Sequence, residues 1–234
     1  MCYLALSDMK PTLSVADTYA PDGAHFRLME HDKDYYLYMN DRQVMSTRLT
    51  VSERLLADIG CDFSDRRKKV RVLVGGLGLG FSLRRALEIT GPDSQVDVAE
   101  LLPEVVRWNT ELMKGYNDDI LQDPRTKVIV ADVYDCIRQA AEGREKYDAI
   151  LLDVDDGPSS LLQPQNSQLY KSDGLALLKE ALTPKGRIAF WAVERDTRLF
   201  RSLKKAKFWS EEHPAAKHER AKRKEHYVYL AERG

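Results

Sequence analysis

The sequence predicts an α/β fold: a mostly parallel sheet with helices on both faces, preceded by a small antiparallel β-meander. Three observations carry this. Val70–Val74 is a largely apolar, β-branched run that ends in Gly75, Gly76, Gly78 and Gly80 and passes directly into a helical pattern. From Val70 onward strand and helix patterns alternate, as parallel strands joined by crossover helices require. Upstream, short aromatic-rich β patterns between His25 and Ser46 are separated by the polar turns His31–Asp34 and Asn40-Asp41.

Taken in order, residues 1–23 read as an irregular N-terminal arm. Met1–Lys10 lacks the basic start and long apolar core of a secretory signal. Pro11, Pro21 and Gly23 make residues 11–23 a linker. Residues 24–62 hold the meander and a linking helix, Leu49 to Ile59, with Thr50 or Ser52 as N-cap and Gly60 as stop. Residues 63–234 form the Rossmann-like domain. Its strands are expected at Val70–Val74, Gln95–Glu100, Lys127–Ala131, Ala149–Leu152, Gly186–Val193 and His226–Ala231. Its helices are expected at Phe81–Thr90, Pro103–Lys114, Val133–Glu142, Gly174–Leu182 and Thr197–Ala206. Thr183-Pro-Lys-Gly186 reads as a turn, and the charged stretch Lys217 to Glu225 as a solvated loop.

Composition narrows the function. A chain of 234 residues with a formal net charge of -1 gives no whole-molecule case for nucleic acid binding. No apolar run reaches the length of a transmembrane helix. Cys2, Cys61 and Cys136 are scattered, without C-x-x-C spacing or a His partner, so they read as free thiols in a reducing cytoplasm.

The chemistry is expected where parallel strands end. Gly76-Leu-Gly78-Leu-Gly80 fits G-x-G-x-G but not the dinucleotide form, because Phe81 stands where G-x-G-x-x-G needs its third glycine. Glu100 ends the next strand, placed to accept hydrogen bonds from a ribose diol. A bare-backbone loop plus that acid points to an adenosine-containing cofactor without a pyrophosphate, of which S-adenosylmethionine is the usual one. Asp132 and Asp153 end the following strands; each is also a natural helix cap. Asp153, Asp155 and Asp156 crowd negative charge before Gly157-Pro158, which suits an ammonium group and raises one carboxyl toward general-base use. No metal is expected, since no phosphate motif accompanies these acids.

In this order of features the chain resembles the spermidine synthase-like proteins, within the fold of S-adenosylmethionine-dependent methyltransferases. The residues that carry the resemblance are Gly75-Gly76-Leu-Gly78-Leu-Gly80, Glu100, Asp132, Asp153-Val-Asp-Asp156-Gly-Pro158, Leu169-Tyr170 and Leu182-Thr-Pro-Lys-Gly186. It implies that Glu100 binds the ribose, Asp132 the adenine amino group and Asp153 the reacting centre, with Asp156 helping to hold the amine; Asp155 and Tyr170 are candidates for substrate contact. Gln43 matches a cofactor-contacting Gln of the meander. A homodimer is implied too. Two departures stand out. The family's loop carries an Asp where this chain has Gly78, and its Tyr-His-Glu-Met segment is replaced by Val51-Ser-Glu-Arg-Leu55.

Loss of the loop acid makes room for a cofactor that keeps its own carboxylate. The sequence therefore reads first as a transferase moving the methyl group of S-adenosylmethionine to a small amine, with Asp153 taking the proton. The alternatives are aminopropyl transfer from decarboxylated S-adenosylmethionine to a diamine, and a non-catalytic scaffold using Lys217–Lys224 on an acidic partner or RNA. The meander and Ser159–Tyr170, including Leu161, Leu162 and Gln165, are expected to wall the pocket.

Overall fold

The computed structural model describes residues 11–63, 69–113, 115–117, 120–154, 157–216, 221 and 224–234. Its N-terminal sheet is a four-stranded meander in the order β1-β2-β3-β4: β1 (Leu13–Tyr19), β2 (His25–His31), β3 (Asp34–Met39) and β4 (Arg42–Ser46). Asp32 and Lys33, then Asn40 and Asp41, all take positive φ, the two-residue turn geometry that matches strand twist. β1 corrects the expectation of an irregular segment over residues 11–23. The turn formers bound this strand rather than dissolve it, and Gly23 N–H closes the following turn on Ala20 O at 2.8 Å.

The linking helix α1 (Val51–Gly60) has Thr50 at its N-cap, without a side-chain capping bond. Gly60 is its last residue, and a Cβ there would collide with the Leu151 side chain. Glycine ends this helix because the helix lies so close to the sheet.

The large sheet has the order β10-β11-β9-β8-β5-β6-β7. Its parallel members are β5 (Arg71–Gly75), β6 (Gln95–Glu100), β7 (Thr126–Val130), β8 (Tyr147–Leu152) and β9 (Leu182–Ala192). β11 (Lys224–Arg233) runs antiparallel to β9, and β10 (Phe208–Ala216) antiparallel to β11. β10 was not expected. It is an edge strand, where Glu211, Glu212 and Pro214 are tolerated and hide the β pattern. The expected turn at Thr183–Gly186 is absorbed into β9 as a bulge, with Lys185 at φ +59°.

Alternate residues of each central strand feed opposite cores. Leu73, Ile150, Leu152 and Phe190 face α4 (Val133–Glu142), α5 (Ser172–Ala181) and α6 (Thr197–Lys205). Val72, Val74, Leu151 and Ala189 face α1 and α2 (Phe81–Ile89). A third cluster joins the meander (Leu28, Leu37, Met39) to α3 (Pro103–Arg107) through Leu79, Leu102, Val105 and Trp108. The expected helix Pro103–Lys114 is shorter in α form: it passes into a π turn over Trp108–Leu112, and Lys114 lies outside the described residues. Cys61 and Cys136 are buried free thiols. Burial pushes the Cys61 thiol up to about 12. Cys2 lies outside the described residues. No helix among the described residues is long and apolar enough to cross a membrane.

Candidate functional site

The sheet order reverses between β5 and β8: the chain leaves β5 toward β6 on one side, and later returns to β8 and β9 on the other. At such a switch point the loops part and leave a crevice beyond the strand ends. Here it is a cleft walled by the strand ends on one side and by Phe26, Leu37, Val44 and Met45 of the meander on the other.

The glycine loop forms one wall. Asp153 N–H donates to Gly75 O at 3.1 Å, and Gly76 N–H to Ala99 O at 2.9 Å. Gly76 has φ +86°, and a Cβ there would stand 2.6 Å from Asp153 O, so this turn excludes every other residue. Gly78, at φ +49°, faces the Met45 thioether, which occupies the space a side chain would need. The loop is held from behind. Asn109 Nδ2 donates to Gly78 O (2.9 Å), and Asn117 Nδ2 to Leu79 O (2.6 Å) and Asn109 Oδ1 (2.7 Å). Asn109 sits in the π turn, a distortion that often accompanies functional sites.

Glu100 closes β6 and is buried. Its Oε2 accepts Leu77 N–H at 3.0 Å and its Oε1 accepts Leu102 N–H at 2.9 Å. Burial pushes its carboxyl up, and the N–H groups of Leu102, Leu77, Gly78 and Leu101 partly offset that. Asp132 caps α4, accepting Tyr134 N–H at 2.8 Å, and also lines the cleft. Capping and a ligand-facing position are both true of it.

Asp153 follows β8, with its Oδ2 accepting Ser82 Oγ–H at 3.0 Å. Opposite it is Glu53 of α1, only 6% exposed, whose Oε2 accepts Ser52 Oγ–H at 2.8 Å. Burial raises both carboxyls above the usual carboxylate range, and the charge of Asp153 raises Glu53 further. Two acids thus face one cleft, Glu53 buried and Asp153 half-buried, and their surroundings favour the protonated form of each. Trp191 of β9 completes this end. Its indole N–H is buried and has no partner among the described residues, and its ring packs 5.0 Å from that of His226.

The structure therefore brings Gly76, Gly78, Glu100, Asp132 and Asp153 to one cleft. Gly75 and Gly80 support the loop from outside the wall: Gly75 packs toward Val133, and Gly80 is the N-cap of α2. Two expectations fail. Gln43 is exposed beside Tyr38, because the register shift in the β3–β4 pairing presents Val44 and Met45 to the cleft instead. Tyr170 packs against the core, its ring 6.0 Å from that of Phe190, while Leu162, Gln163 and Asn166 of the same segment reach the cleft. Leu161 and Gln165 are not among its lining residues. Asp155 and Asp156 lie outside the described residues, as do Lys217–Arg220, Lys222 and Arg223. Sequence reasoning missed Glu53, Trp191 and the two asparagines. For Glu53 a signal existed: it keeps the third position of the segment that replaces Tyr-His-Glu-Met.

Residues 50–200 match the family model described as Spermine/spermidine synthase domain, well over half of the chain. The chain belongs to the spermine/spermidine synthase family. Among its curated relatives, a polyamine aminopropyltransferase of Streptomyces coelicolor is 34% identical over 119 residues, 50% of this chain and 21% of that protein. One from Corynebacterium efficiens is 26% identical over 166 residues, 64% of this chain and 31% of its own length. The chain thus spans a fifth to a third of these two relatives. The crystal structure of spermidine synthase from Thermotoga maritima superposes with a TM-score of 0.72, covering 94% of this chain and 73% of that one at 15% identity. Human methyltransferase-like protein 13 in complex with SAH gives 0.56 at 25% identity, covering 80% and 78%. The family match begins after the antiparallel sheet, and the fold likeness extends to a methyltransferase.

Proposed function

We propose that this chain carries aminopropyl transfer from decarboxylated S-adenosylmethionine to an amine nitrogen. One observation carries the reading. Glu53, Glu100, Asp132 and Asp153 line the cleft, and no Lys, Arg or His is among its described lining residues. Such a wall favours a cation and disfavours a free carboxylate. Intact S-adenosylmethionine brings an α-carboxylate with no basic side chain there to meet it. The decarboxylated form lacks that group and presents a sulfonium and an ammonium. The methyl transfer read first from the sequence therefore gives way to the aminopropyl alternative, in the same direction as the names of the curated relatives.

The residues fit such a ligand. Backbone bonds use about two of the roughly four acceptor sites of the Glu100 carboxylate, leaving others for a ribose diol. Asp132 keeps an oxygen for the adenine amino group, and Gly76 and Gly78 line the cleft in a turn that Asp153 O and the Met45 thioether pack against. The sulfonium supplies an electrophilic carbon and a neutral thioether leaving group. The protein aligns the nucleophile and excludes water, through Phe26, Leu37, Val44, Met45 and Leu162. As the N–C bond forms and the C–S bond breaks, the proton lost by the attacking nitrogen passes to Asp153. Asp155 and Asp156 are assigned to holding the far ammonium of a diamine, away from the attacking nitrogen. A homodimer in the cytoplasm belongs to the same reading, and light scattering tests the dimer.

A second reading, methyl transfer, is favoured by Gly78, which stands where the family holds an acid. The deciding experiment compares the melting-temperature rise given by equal concentrations of the two cofactors, then analyses product by mass spectrometry with 1,4-diaminobutane. Greater stabilisation by the decarboxylated form and release of 5′-methylthioadenosine are expected. Preference for the intact form, with a methylated amine as product, would overturn the proposal.

A further inference from the structure

We propose that Glu53 is the second half of a carboxyl pair with Asp153, and that this pair binds the primary ammonium of the acceptor by exchanging one shared proton for it. The inference rests on the amine-transfer reading above and goes beyond it, because it assigns the acceptor's anchoring point to a residue of α1.

The geometry begins with the elements. Leu152 of β8 pairs with Phe190 of β9, so Asp153 and Trp191 are the next residues along adjacent strands. Ser82, in the first turn of α2, donates to Asp153 at 3.0 Å and reaches the Glu53 carbonyl at 3.4 Å. One hydroxyl thus ties the end of β8 to α1. Both carboxyls line the same cleft, and among the described residues neither meets a basic side chain. The charged groups on the same two helices are occupied elsewhere: Arg84 donates to Tyr116 O and Asn117 Oδ1, Arg85 pairs with Asp58 and Glu88, and Arg54 with Glu88. Across the cleft, Glu100 and Asp132 are engaged by backbone N–H groups, and His226 stands behind Trp191.

Two acids facing one cleft without a cation repel each other when both are ionised, which favours one proton on the ligand-free pair. An arriving R–NH₃⁺ supplies the missing positive charge, and that proton leaves to solvent. At transfer the nitrogen gives one proton back to the pair, forms its bond to the aminopropyl carbon, and the C–S bond breaks to the thioether. The product departs as a secondary ammonium. The pair is then again singly protonated, so the cycle closes with one proton released per turnover.

The test is titration calorimetry of 1,4-diaminobutane into protein saturated with 5′-methylthioadenosine, at neutral pH, in buffers of different ionisation enthalpy. Wild type is expected to release about one proton per amine bound, and Glu53→Gln well under half of that, with 5′-methylthioadenosine affinity changed less than about twofold. Infrared difference spectra of the wild type need no variant and should show a protonated-carboxyl band lost on amine binding. Equal release by wild type and Glu53→Gln, or no band change in the wild type, would overturn the assignment of Glu53. If 5′-methylthioadenosine binds but no amine does, amine transfer itself fails and this proposal with it.

Discussion

Replacing Glu100 by Gln separates two roles that the structure overlays on one carboxylate. Each oxygen accepts one backbone N–H, Leu77 at 3.0 Å and Leu102 at 2.9 Å. An amide keeps one acceptor oxygen and presents N–H₂ where the other was, so one of these donors loses its partner and faces another donor. A charge-assisted hydrogen bond contributes about 1.5–3 kcal/mol, and an orphaned buried N–H costs about 1–3 kcal/mol; the two overlap. Relief from burying an ionised carboxyl, whose pKa is raised on balance, offsets part of it. The expected loss in unfolding free energy, from urea titration without ligand, is about 1–3 kcal/mol. The ribose diol also loses one acceptor, so 5′-methylthioadenosine should bind about 10- to 100-fold more weakly, read as a smaller ligand-induced rise in melting temperature. Lower stability with unchanged nucleoside affinity would refute the ribose assignment and leave Glu100 as a brace for the glycine loop. No change in either would refute the hydrogen-bond geometry itself.

Asp153→Asn keeps an oxygen to accept from Ser82 but cannot take a proton; kcat should fall about 10²- to 10⁴-fold with 5′-methylthioadenosine binding intact, and a rate near wild type would move the base elsewhere. Stability should decline as pH rises from the ordinary carboxylate range through neutrality. Glu53 and Asp153 have raised values in the folded protein, so there the native state binds more protons than the unfolded chain, and up to about 1.4 kcal/mol is lost per pH unit for each proton of difference. Urea titrations across pH check the sign, and Glu53→Gln should flatten the slope. Gly60→Ala should destabilise by about 1–3 kcal/mol through overpacking against Leu151, against the gain in helix propensity normally expected; a neutral or stabilised variant would show that α1 can lift from the sheet.

The α/β class was legible because β5 and β8 are apolar on both faces and the glycine loop follows at once; this pattern has few other solutions. Glu100, Asp132 and Asp153 were legible because strand ends in a parallel sheet all point to one edge. What was not legible depends on packing between distant segments. Glu53 keeps the acid's place in the segment that replaces Tyr-His-Glu-Met, but nothing local shows its burial, which comes from α1 lying against α2 and β8. Gln43 failed because a register shift in the β3–β4 pairing changes which side chains point inward, and no residue type in Arg42–Ser46 announces it. β10 failed because an edge strand need satisfy only one neighbour, so its sequence need not look apolar.

Four acids from four separate elements would be an unfavourable wall for a cleft that stayed empty. Glu53 and Glu100 are buried and Asp132 and Asp153 half-buried, so each loses hydration, and the donors present (Ser52, Ser82 and a few backbone N–H groups) return only part of it. Elsewhere the same protein shows what complete compensation looks like: Asp97, fully buried in β6, meets Arg71 at 2.8 Å, Gln95 at 2.6 Å and the Tyr147 hydroxyl at 2.9 Å. The contrast lies in the cation. Asp97 has its own within the chain, whereas Glu53 and Asp153 have none among the described residues. A doubly cationic nucleoside and an alkylammonium would supply the missing charge from outside, so ligand and fold stabilise one another. The functional reading therefore rests more on the sign of that wall than on the glycine loop, which many nucleotide-binding folds share.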